Sequence, residues 1–142
     1  KRREEKKSLI ILVSDVEMID DYVRNPSRNL LSYLKTVSQP TTCIFESAQS
    51  LPDVLVNEDH TIAIRIVKDP FCNMLISKLK KPLVSTSANI SGEAFPQNFS
   101  EVSEVIKKGV DYIVQHRQND FSKSRPSSII RLNESGEVVK LR

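Results

Sequence analysis

A short apolar run that breaks off into small polar residues stands in the middle of this sequence. Pro82, Leu83 and Val84 have the composition of a buried strand, and the segment STSAN (85–89) follows directly. Ligands of open α/β sheets bind beyond the carboxyl ends of strands, so this segment is a candidate anion or nucleotide site. The same residues also suit an ordinary loop, in which Ser, Thr and Asn side chains bond to their own backbone.

Strand and helix signals alternate through the first half of the chain. Apolar or β-branched runs predict strands at 8–13, 41–45 and 61–66, and helices are predicted at 14–23, from 26 to before Pro40, and from 69 to before Lys80. The last of these helices is expected to bury a stripe of four apolar residues: Phe71, Met74, Leu75 and Leu79. This alternation indicates an α/β class of fold.

The second half adds shorter elements to this pattern. Ser100 is expected to cap a helix that ends at Gly109, residues 112–114 to form a short strand, and 127–132 with 137–141 to form a hairpin. Because the hairpin pairs antiparallel, the predicted fold is α/β, or mixed α+β, with a twisted parallel and antiparallel sheet and flanking helices. We expect a single domain over 1–142.

Composition limits the chemistry that this chain can perform. The formal charge of +3 permits an anionic ligand or nucleic acid without requiring either, and three glycines exclude a glycine-rich phosphate loop. The two cysteines have no metal-ligand spacing, and two histidines are too few for a confident zinc site. A reduced cytoplasmic protein without a membrane partner is therefore expected, since no apolar run approaches membrane-spanning length.

The strand TIAIRI places one arginine on a face of small residues. Because strand side chains alternate in direction, Ile62, Ile64 and Ile66 share one face, while Thr61, Ala63 and Arg65 share the other. A guanidinium beside two small residues could hold a carboxylate or a phosphate. An arginine that faces solvent, or that pairs with a carboxylate of a helix, explains the same pattern.

The sequence begins with a charged segment, KRREEKK, directly before the first apolar run. Taken alone, this segment is typical of a solvated tail. It could also supply cations to a phosphate site, with hydroxyls and amides from 85–89. Phosphoryl and nucleotidyl transfer need positioning and charge neutralisation, often with Mg²⁺, and no protein nucleophile.

Four segments, in order, resemble the YrdC-type family of threonylcarbamoyl-AMP synthases. PLVSTSANISGEAFPQNFSEV resembles the family signature, and KRR followed by KSLI resembles its K-x-R…K-P-L element, with Ser8 in place of proline. TIAIRI resembles its T-x-A-x-R strand, and RPSSIIRL with VVKLR resembles its last strand and closing arginine. The resemblance covers essentially the whole chain.

The resemblance implies a reaction and its site residues. L-Threonine, bicarbonate and ATP would give threonylcarbamoyl-AMP and pyrophosphate, with Mg²⁺ expected, and a downstream threonylcarbamoyl transferase would use the product to make threonylcarbamoyladenosine in tRNA. The implied ATP-binding residues are Lys1, Arg3, Lys7, Thr61, Asn89, Gln97 and Arg142. The implied threonine-binding residues are Arg65, Ser87 and Ser127. No metal ligand is assigned.

One element of the family pattern does not occur here. The family carries P-T-[DE]-T on an upstream strand and loop, so we expect that this chain lacks one or two amino-terminal strands and is itself inactive. Two other functions fit the residues less closely. One is a non-catalytic module that binds double-stranded RNA or tRNA, and the other is a carbamoyl-handling relative that uses carbamoyl phosphate.

Overall fold

The computed structural model describes residues 9–123 and 126–142, so Lys1, Arg3 and Lys7 lie outside the described residues. The chain divides into two compact units. One contains 9–85 and 127–142, and the other contains 86–123 with Pro126. The prediction of a single domain over 1–142 stays a prediction.

The larger unit contains the sheet and two α-helices. Its strands are β1 (Ile10–Val13), β2 (Thr41–Phe45), β3 (Ile62–Ile66), β4 (Leu83–Ser85), β5 (Ser128–Leu132) and β6 (Val138–Lys140). Its α-helices are α1 (Arg28–Thr36) and α2 (Pro70–Leu79), and two 3₁₀ turns cover Glu17–Asp21 and Asp53–Leu55. The smaller unit contains a 3₁₀ turn (Phe99–Glu101) and helix α3 (Glu104–Lys108).

The sheet mixes parallel and antiparallel pairs, which confirms the predicted fold class. In the part of the chain that the structure describes, six strands follow the order β4-β1-β3-β2-β5-β6. The pairs β1–β3 and β2–β5 are parallel. The pairs β1–β4, β2–β3 and β5–β6 are antiparallel, and the last of them is the predicted hairpin.

The register gives the sheet two different faces. Ile64 of β3 pairs with Ile11 of β1 and with Cys43 of β2, and all three side chains belong to the main core. Leucines of α1 complete this core. The opposite face carries Leu12, which packs with Ile76 of α2 in a second, smaller core. The predicted alternation along β3 is therefore confirmed, since Ile62 and Ile64 are buried in the main core.

Local capping explains where the two longer helices begin. The Asp69 carboxylate accepts a hydrogen bond of 2.9 Å from the Cys72 N–H, with Pro70 in the first turn, so the predicted start of α2 is confirmed. Helix α1 is capped by Ser27, whose side chain accepts from the Leu30 N–H.

The predicted helix at 14–23 is wrong. Only the 3₁₀ turn Glu17–Asp21 forms, and the predicted cap by Ser14 is not made, since the Ser14 hydroxyl donates to the Asp15 carboxylate.

The predicted buried stripe of α2 is wrong by one position. Ile76 is fully buried, whereas Met74 and Leu79 are 51% and 50% exposed. Ile76 lies one helical turn after Cys72, and both pack against the sheet face that carries Leu12. The helix is therefore rotated so that its Cys72–Ile76 side, and not its Met74–Leu79 side, faces the sheet.

The strand before STSAN lies at the edge of the sheet that the described strands form, and it is not buried. Val84 of β4 is 54% exposed, and among the described strands β4 pairs only with β1. Since β4 runs antiparallel, its last residue, Ser85, lies opposite Ile10, the first residue of β1. Residues 86–89 thus follow the carboxyl end of β4, as predicted, but because β4 is antiparallel to β1 the chain leaves it at the amino-terminal end of β1 and β3.

The smaller unit contains less regular structure than predicted. Helix α3 is capped by Ser103, and Ser100 instead lies in a 3₁₀ turn capped by Asn98. The predicted strand at 112–114 is not formed, and Tyr112 is 74% exposed. No helix among the described residues is long and apolar enough to span a membrane.

Candidate functional site

Strand β3 carries a cation, the Arg65 guanidinium, that has no hydrogen-bond or ion-pair partner among the described residues. Arg65 pairs with Leu12 in the β1–β3 register, so its side chain leaves the face opposite the Ile64 core. The residue is partly buried, and this burial lowers the pKa of its guanidinium from the ordinary value. Within the described residues, the guanidinium forms no hydrogen bond and no ion pair. A partly desolvated, unpaired guanidinium is suited to receive an anion, above all a carboxylate that it can grip with two parallel bonds.

Two buried hydroxyls form a second polar group in the same unit. The Oγ1 atom of Thr42 lies 2.8 Å from the Oγ atom of Ser127, and the two residues are 1% and 5% exposed. The Nη2 group of Arg142 donates a 3.2 Å hydrogen bond to the backbone carbonyl of Ser127. The structure therefore brings together two of the predicted site residues, Ser127 and Arg142.

The sheet register relates this hydroxyl pair to Arg65. Cys43 of β2 pairs with Ile64 of β3, and continuing this register by one residue brings Thr42 opposite Arg65. On its other side, β2 pairs in parallel with β5, and Thr42 lies opposite Ile129. Neighbouring strands are about 4.8 Å apart, so Arg65 and Thr42 lie side by side on one sheet face. Ser127, which directly precedes β5, extends this row through its 2.8 Å contact with Thr42.

Sequence reasoning missed Thr42 in this row. The TTCIF run identified β2 as a strand, but which of its side chains face Arg65 depends on the pairing of β2 with β3. The available signal was the alternation of side-chain directions along the strand. It can place a threonine among buried apolar residues, where its hydroxyl needs a hydrogen-bond partner. That signal alone does not name the partner, which is 85 residues away in sequence.

Thr61 lies directly before β3, and its hydroxyl is engaged within the preceding loop. It donates to the Asp59 carboxylate over 2.7 Å and accepts from the Asn57 amide over 2.8 Å. The bond from the Thr61 hydroxyl, together with the one that the Thr61 backbone N–H donates to the same carboxylate, lowers the pKa of the exposed Asp59 carboxyl from its ordinary value. One lone pair of the Thr61 oxygen remains, so a ligand contact by Thr61 would be as an acceptor.

The smaller unit contains a buried amide with an unused oxygen. Asn89 is 8% exposed, and its Nδ2 group donates a 2.7 Å hydrogen bond to the Glu93 carbonyl. This bond fixes which way the amide points, and it leaves the Oδ1 atom buried without a partner among the described residues. A buried acceptor without a donor costs free energy, so this oxygen is a candidate acceptor for a hydrogen bond from a ligand.

The other two predicted residues of this unit differ in exposure. Ser87 is partly buried two residues before Asn89. Gln97 is exposed, and its backbone N–H donates to the Glu101 carboxylate over 2.8 Å. The predicted contacts of both side chains with a ligand stay predictions.

The larger unit also contains a groove that lies away from the predicted site residues. It has a volume of about 460 Å³ and lies between the 3₁₀ turn Glu17–Asp21 and α2. Three carboxylates and one lysine line it, so its net charge is negative: Asp15, Glu17, Asp21 and Lys80. None of the predicted site residues borders it. Its negative charge disfavours triphosphates and carboxylates, so we do not assign this groove to them.

The described residues offer no cluster suited to a metal. No group of three or more His, Cys, Asp or Glu side chains is close enough to hold an ion in the part of the chain that the structure describes. Both cysteines are free thiols. A divalent cation at this site would therefore need ligands from elsewhere, such as the phosphate oxygens of a bound nucleotide.

The whole chain matches one protein family. Residues 1–142 match the family of Sua5, YciO and YrdC proteins, which carries the description telomere recombination. The chain belongs to this family, as the STSAN segment and the TIAIRI strand predicted.

Curated relatives carry the name of a synthase. A protein of Methanocaldococcus jannaschii, provisionally named a threonylcarbamoyl-AMP synthase, is 33% identical over 144 residues, which cover 100% of this chain and 65% of that protein. The threonylcarbamoyl-AMP synthase of Hydrogenovibrio crunogenus is 29% identical over 97 residues, which cover 66% of this chain and 52% of that protein. The chain is thus shorter than these relatives and spans between half and two thirds of their length.

Solved structures of the same family share the fold. The Sua5 protein of P. abyssi in complex with L-threonine superposes with a TM-score of 0.81 at 24% identity, covering 99% of this chain and 41% of that one. YciO of E. coli superposes with a TM-score of 0.78 at 21% identity, covering 98% of this chain and 66% of that one. These similarities confirm the mixed α/β architecture.

Proposed function

We propose that the protein carrying this chain is a threonylcarbamoyl-AMP synthase. It would convert L-threonine, bicarbonate and ATP into threonylcarbamoyl-AMP and pyrophosphate, and the product would serve threonylcarbamoyladenosine formation in tRNA through a downstream transferase. Family membership and the names of the curated relatives support this reaction. Because the chain spans about two thirds of the M. jannaschii relative, the proposal concerns the activity of the whole protein.

The observation that carries the proposal is the unpaired guanidinium of Arg65. An amino acid substrate brings a carboxylate, and Arg65 offers a partly desolvated cation on the same sheet face as the Thr42–Ser127 hydroxyls. A charge-assisted bond between a guanidinium and a carboxylate is roughly twice as strong as a neutral one. The presence of L-threonine in the P. abyssi Sua5 structure supports threonine as the amino acid.

The chemistry needs positioning more than it needs a protein nucleophile. The neutral threonine amine attacks the carbon of CO₂ derived from bicarbonate and loses a proton, which gives a carbamate. A carbamate oxygen then attacks the α-phosphorus of ATP. A new O–P bond forms, the bond from the α-phosphorus to the bridging oxygen breaks, and pyrophosphate leaves. Arg65 and Ser127 would hold the threonine carboxylate through the sequence, so the amine end is the part left free to react.

Asn89 would bind the nucleotide as a hydrogen-bond acceptor. Its amide is fixed by the Glu93 carbonyl, so only the Oδ1 atom is available. The donors that ATP offers are the adenine amino group and the ribose hydroxyls, and either can fill this position. Thr61, Gln97 and Arg142 are proposed as further ATP contacts, and Lys1, Arg3 and Lys7 as contacts of its phosphates. Ser87 is proposed as a further threonine contact.

We propose that Mg²⁺ binds as a complex with ATP and not as a metal ion that the protein holds without the nucleotide. It would neutralise phosphate charge when bound. Since the described residues contain no cluster suited to a metal, no step is assigned to it. A cytoplasmic location is proposed on the two free thiols, which are typical of a reducing compartment.

Pyrophosphate release by the protein that carries residues 1–142 tests the proposal. We expect release only when threonine, bicarbonate and ATP are all present. Arg65→Ala should lower kcat/KM for threonine by about 100-fold, because a charge-assisted pair is worth about 1.5–3 kcal/mol. Arg28→Ala is the matched control, since Arg28 is exposed and pairs with Asp20.

A second pair of variants tests the nucleotide contact in the same assay. Asn89→Ala should raise KM for ATP about tenfold, and the exposed Asn119→Ala should leave it unchanged. Pyrophosphate release that does not depend on threonine would contradict the proposal. Retention of tRNA or double-stranded RNA without ATP turnover would instead favour the RNA-binding alternative.

A further inference from the structure

We propose that Thr42 is a positioning residue of the threonine site, where its hydroxyl orients the hydroxyl of Ser127 toward the substrate carboxylate. This inference rests on the proposed function, because it concerns the same site. It adds a residue that the family motifs of the sequence did not indicate.

The hydroxyls of Thr42 and Ser127 are hydrogen-bonded to each other, and neither forms another hydrogen bond with a described residue. The distance between Thr42 Oγ1 and Ser127 Oγ is 2.8 Å, which fits one O–H···O bond. A pair of hydroxyls has two protons, and one bond uses one of them. The second proton therefore has no acceptor in the described protein, although the residues are only 1% and 5% exposed.

The position of Arg65 indicates what that acceptor is. A buried donor left without an acceptor costs about 1–3 kcal/mol, so this proton favours a ligand that brings an oxygen. The pairing of β2 with β3 places Thr42 opposite Arg65 on the same sheet face, so the hydroxyl pair and this arginine belong to neighbouring strand positions. A carboxylate held by Arg65 has a second oxygen to accept the proton.

The direction of the bond between the hydroxyls follows from this acceptor. If Ser127 is to donate to the carboxylate, its own oxygen must accept from Thr42. Thr42 then touches Ser127 and not the substrate, so its role is positioning and not catalysis. The backbone of Ser127 is held separately by Arg142, which donates to its carbonyl over 3.2 Å, so Thr42 controls the hydroxyl and Arg142 the main chain.

The test is the affinity for L-threonine, measured by titration calorimetry on the protein that carries residues 1–142. Thr42→Val removes the hydroxyl but keeps a β-branched side chain that suits a strand. We expect its Kd for threonine to rise about tenfold, with the affinity for ATP unchanged. Thr42→Ser retains the hydroxyl and should stay within about threefold of the parent.

Two further variants separate positioning from a general effect on the fold. Thr41→Val is the matched control, because Thr41 is the next residue on β2, faces the other side, and donates to the Gln39 carbonyl. It should bind threonine as the parent does. In a Ser127→Ala background, Thr42→Val should add no further loss, since the hydroxyl that it orients is gone.

The outcomes divide clearly. Equal threonine affinity of Thr42→Val and the parent would overturn the inference, and so would additive losses in the double variant. A parent protein that binds threonine but releases no pyrophosphate would refute the proposed function. The ratio of the threonine affinities of Thr42→Val and the parent would still decide the role of Thr42. A parent protein that does not bind threonine would overturn both.

Discussion

Replacing Arg65 with methionine should stabilise the ligand-free protein. The guanidinium is partly buried and has no partner among the described residues, and burial lowers its pKa, so it is held at a cost in free energy. Methionine keeps the apolar stem that packs on the sheet and removes the charge. Arg65→Met is therefore expected to gain stability where most substitutions lose it.

The size of this gain can be bounded. Leaving a buried polar group unpaired costs about 1–3 kcal/mol, and more for a charged group, but Arg65 retains part of its contact with water. We therefore expect the lower end, about 1 kcal/mol, which corresponds to a rise in Tm of about 3 °C for a chain of this size. The matched control is Arg131→Met, on the exposed side of β5, which should stay within about 0.5 kcal/mol of the parent.

Urea unfolding with and without L-threonine measures both effects. At a threonine concentration about 100 times Kd, the parent should gain about 2.7 kcal/mol, and Arg65→Met should gain almost nothing. The variant would then be the more stable protein without threonine and the less stable one with it. A loss of more than about 1 kcal/mol in ligand-free Arg65→Met would refute the reasoning, because it would show that the protein already satisfies the guanidinium.

The packing and the thiols give two further expectations. Ile76→Ala should cost about 2–4 kcal/mol in urea unfolding, since Ile76 is fully buried in the second core, whereas Met74→Ala should cost under about 0.5 kcal/mol. Equal losses would contradict the observed rotation of α2. Burial raises the pKa of the Cys43 thiol to about 12, so at about pH 8 an alkylating reagent should label Cys72 in the folded protein and Cys43 only after unfolding. Labelling of both thiols at one rate would contradict the buried position of Cys43.

Local signals were enough to predict much of the fold. Strand β2 was predicted with the bounds that it has, because β-branched and aromatic residues fill it from Thr41 to Phe45. The start of α2 was predicted because an aspartate directly before a proline is a cap that acts within one turn. Such features depend on neighbours in sequence, and the sequence displays them directly.

Features that depend on distant pairing were not predictable in this way. The apolar run before STSAN is the same whether its strand lies inside the sheet or at its edge, and only the β1–β4 pairing places Val84 in solvent. Residues 112–114 have strand propensity, but no strand forms there, and propensity yields to tertiary context. The rotation of α2 is likewise set by the sheet face that it covers.

In the candidate site, too, some features depend on neighbours in sequence and others on distant residues. Arg65 could be placed on a polar face because alternation along β3 is a local rule. The unused oxygen of Asn89 depends on the Glu93 carbonyl, and the role of Thr42 depends on a residue 85 positions away. The sequence therefore indicated the charged residue of β3, whereas only the structure pairs Thr42 with Ser127 and Asn89 with Glu93.

A crystal structure of the protein with bound L-threonine tests the central claim most directly. The account predicts both carboxylate oxygens of threonine within about 3 Å of the Arg65 guanidinium or the Ser127 hydroxyl. A threonine carboxylate bound elsewhere, with Arg65 left unpaired beside the Thr42–Ser127 pair, would contradict it.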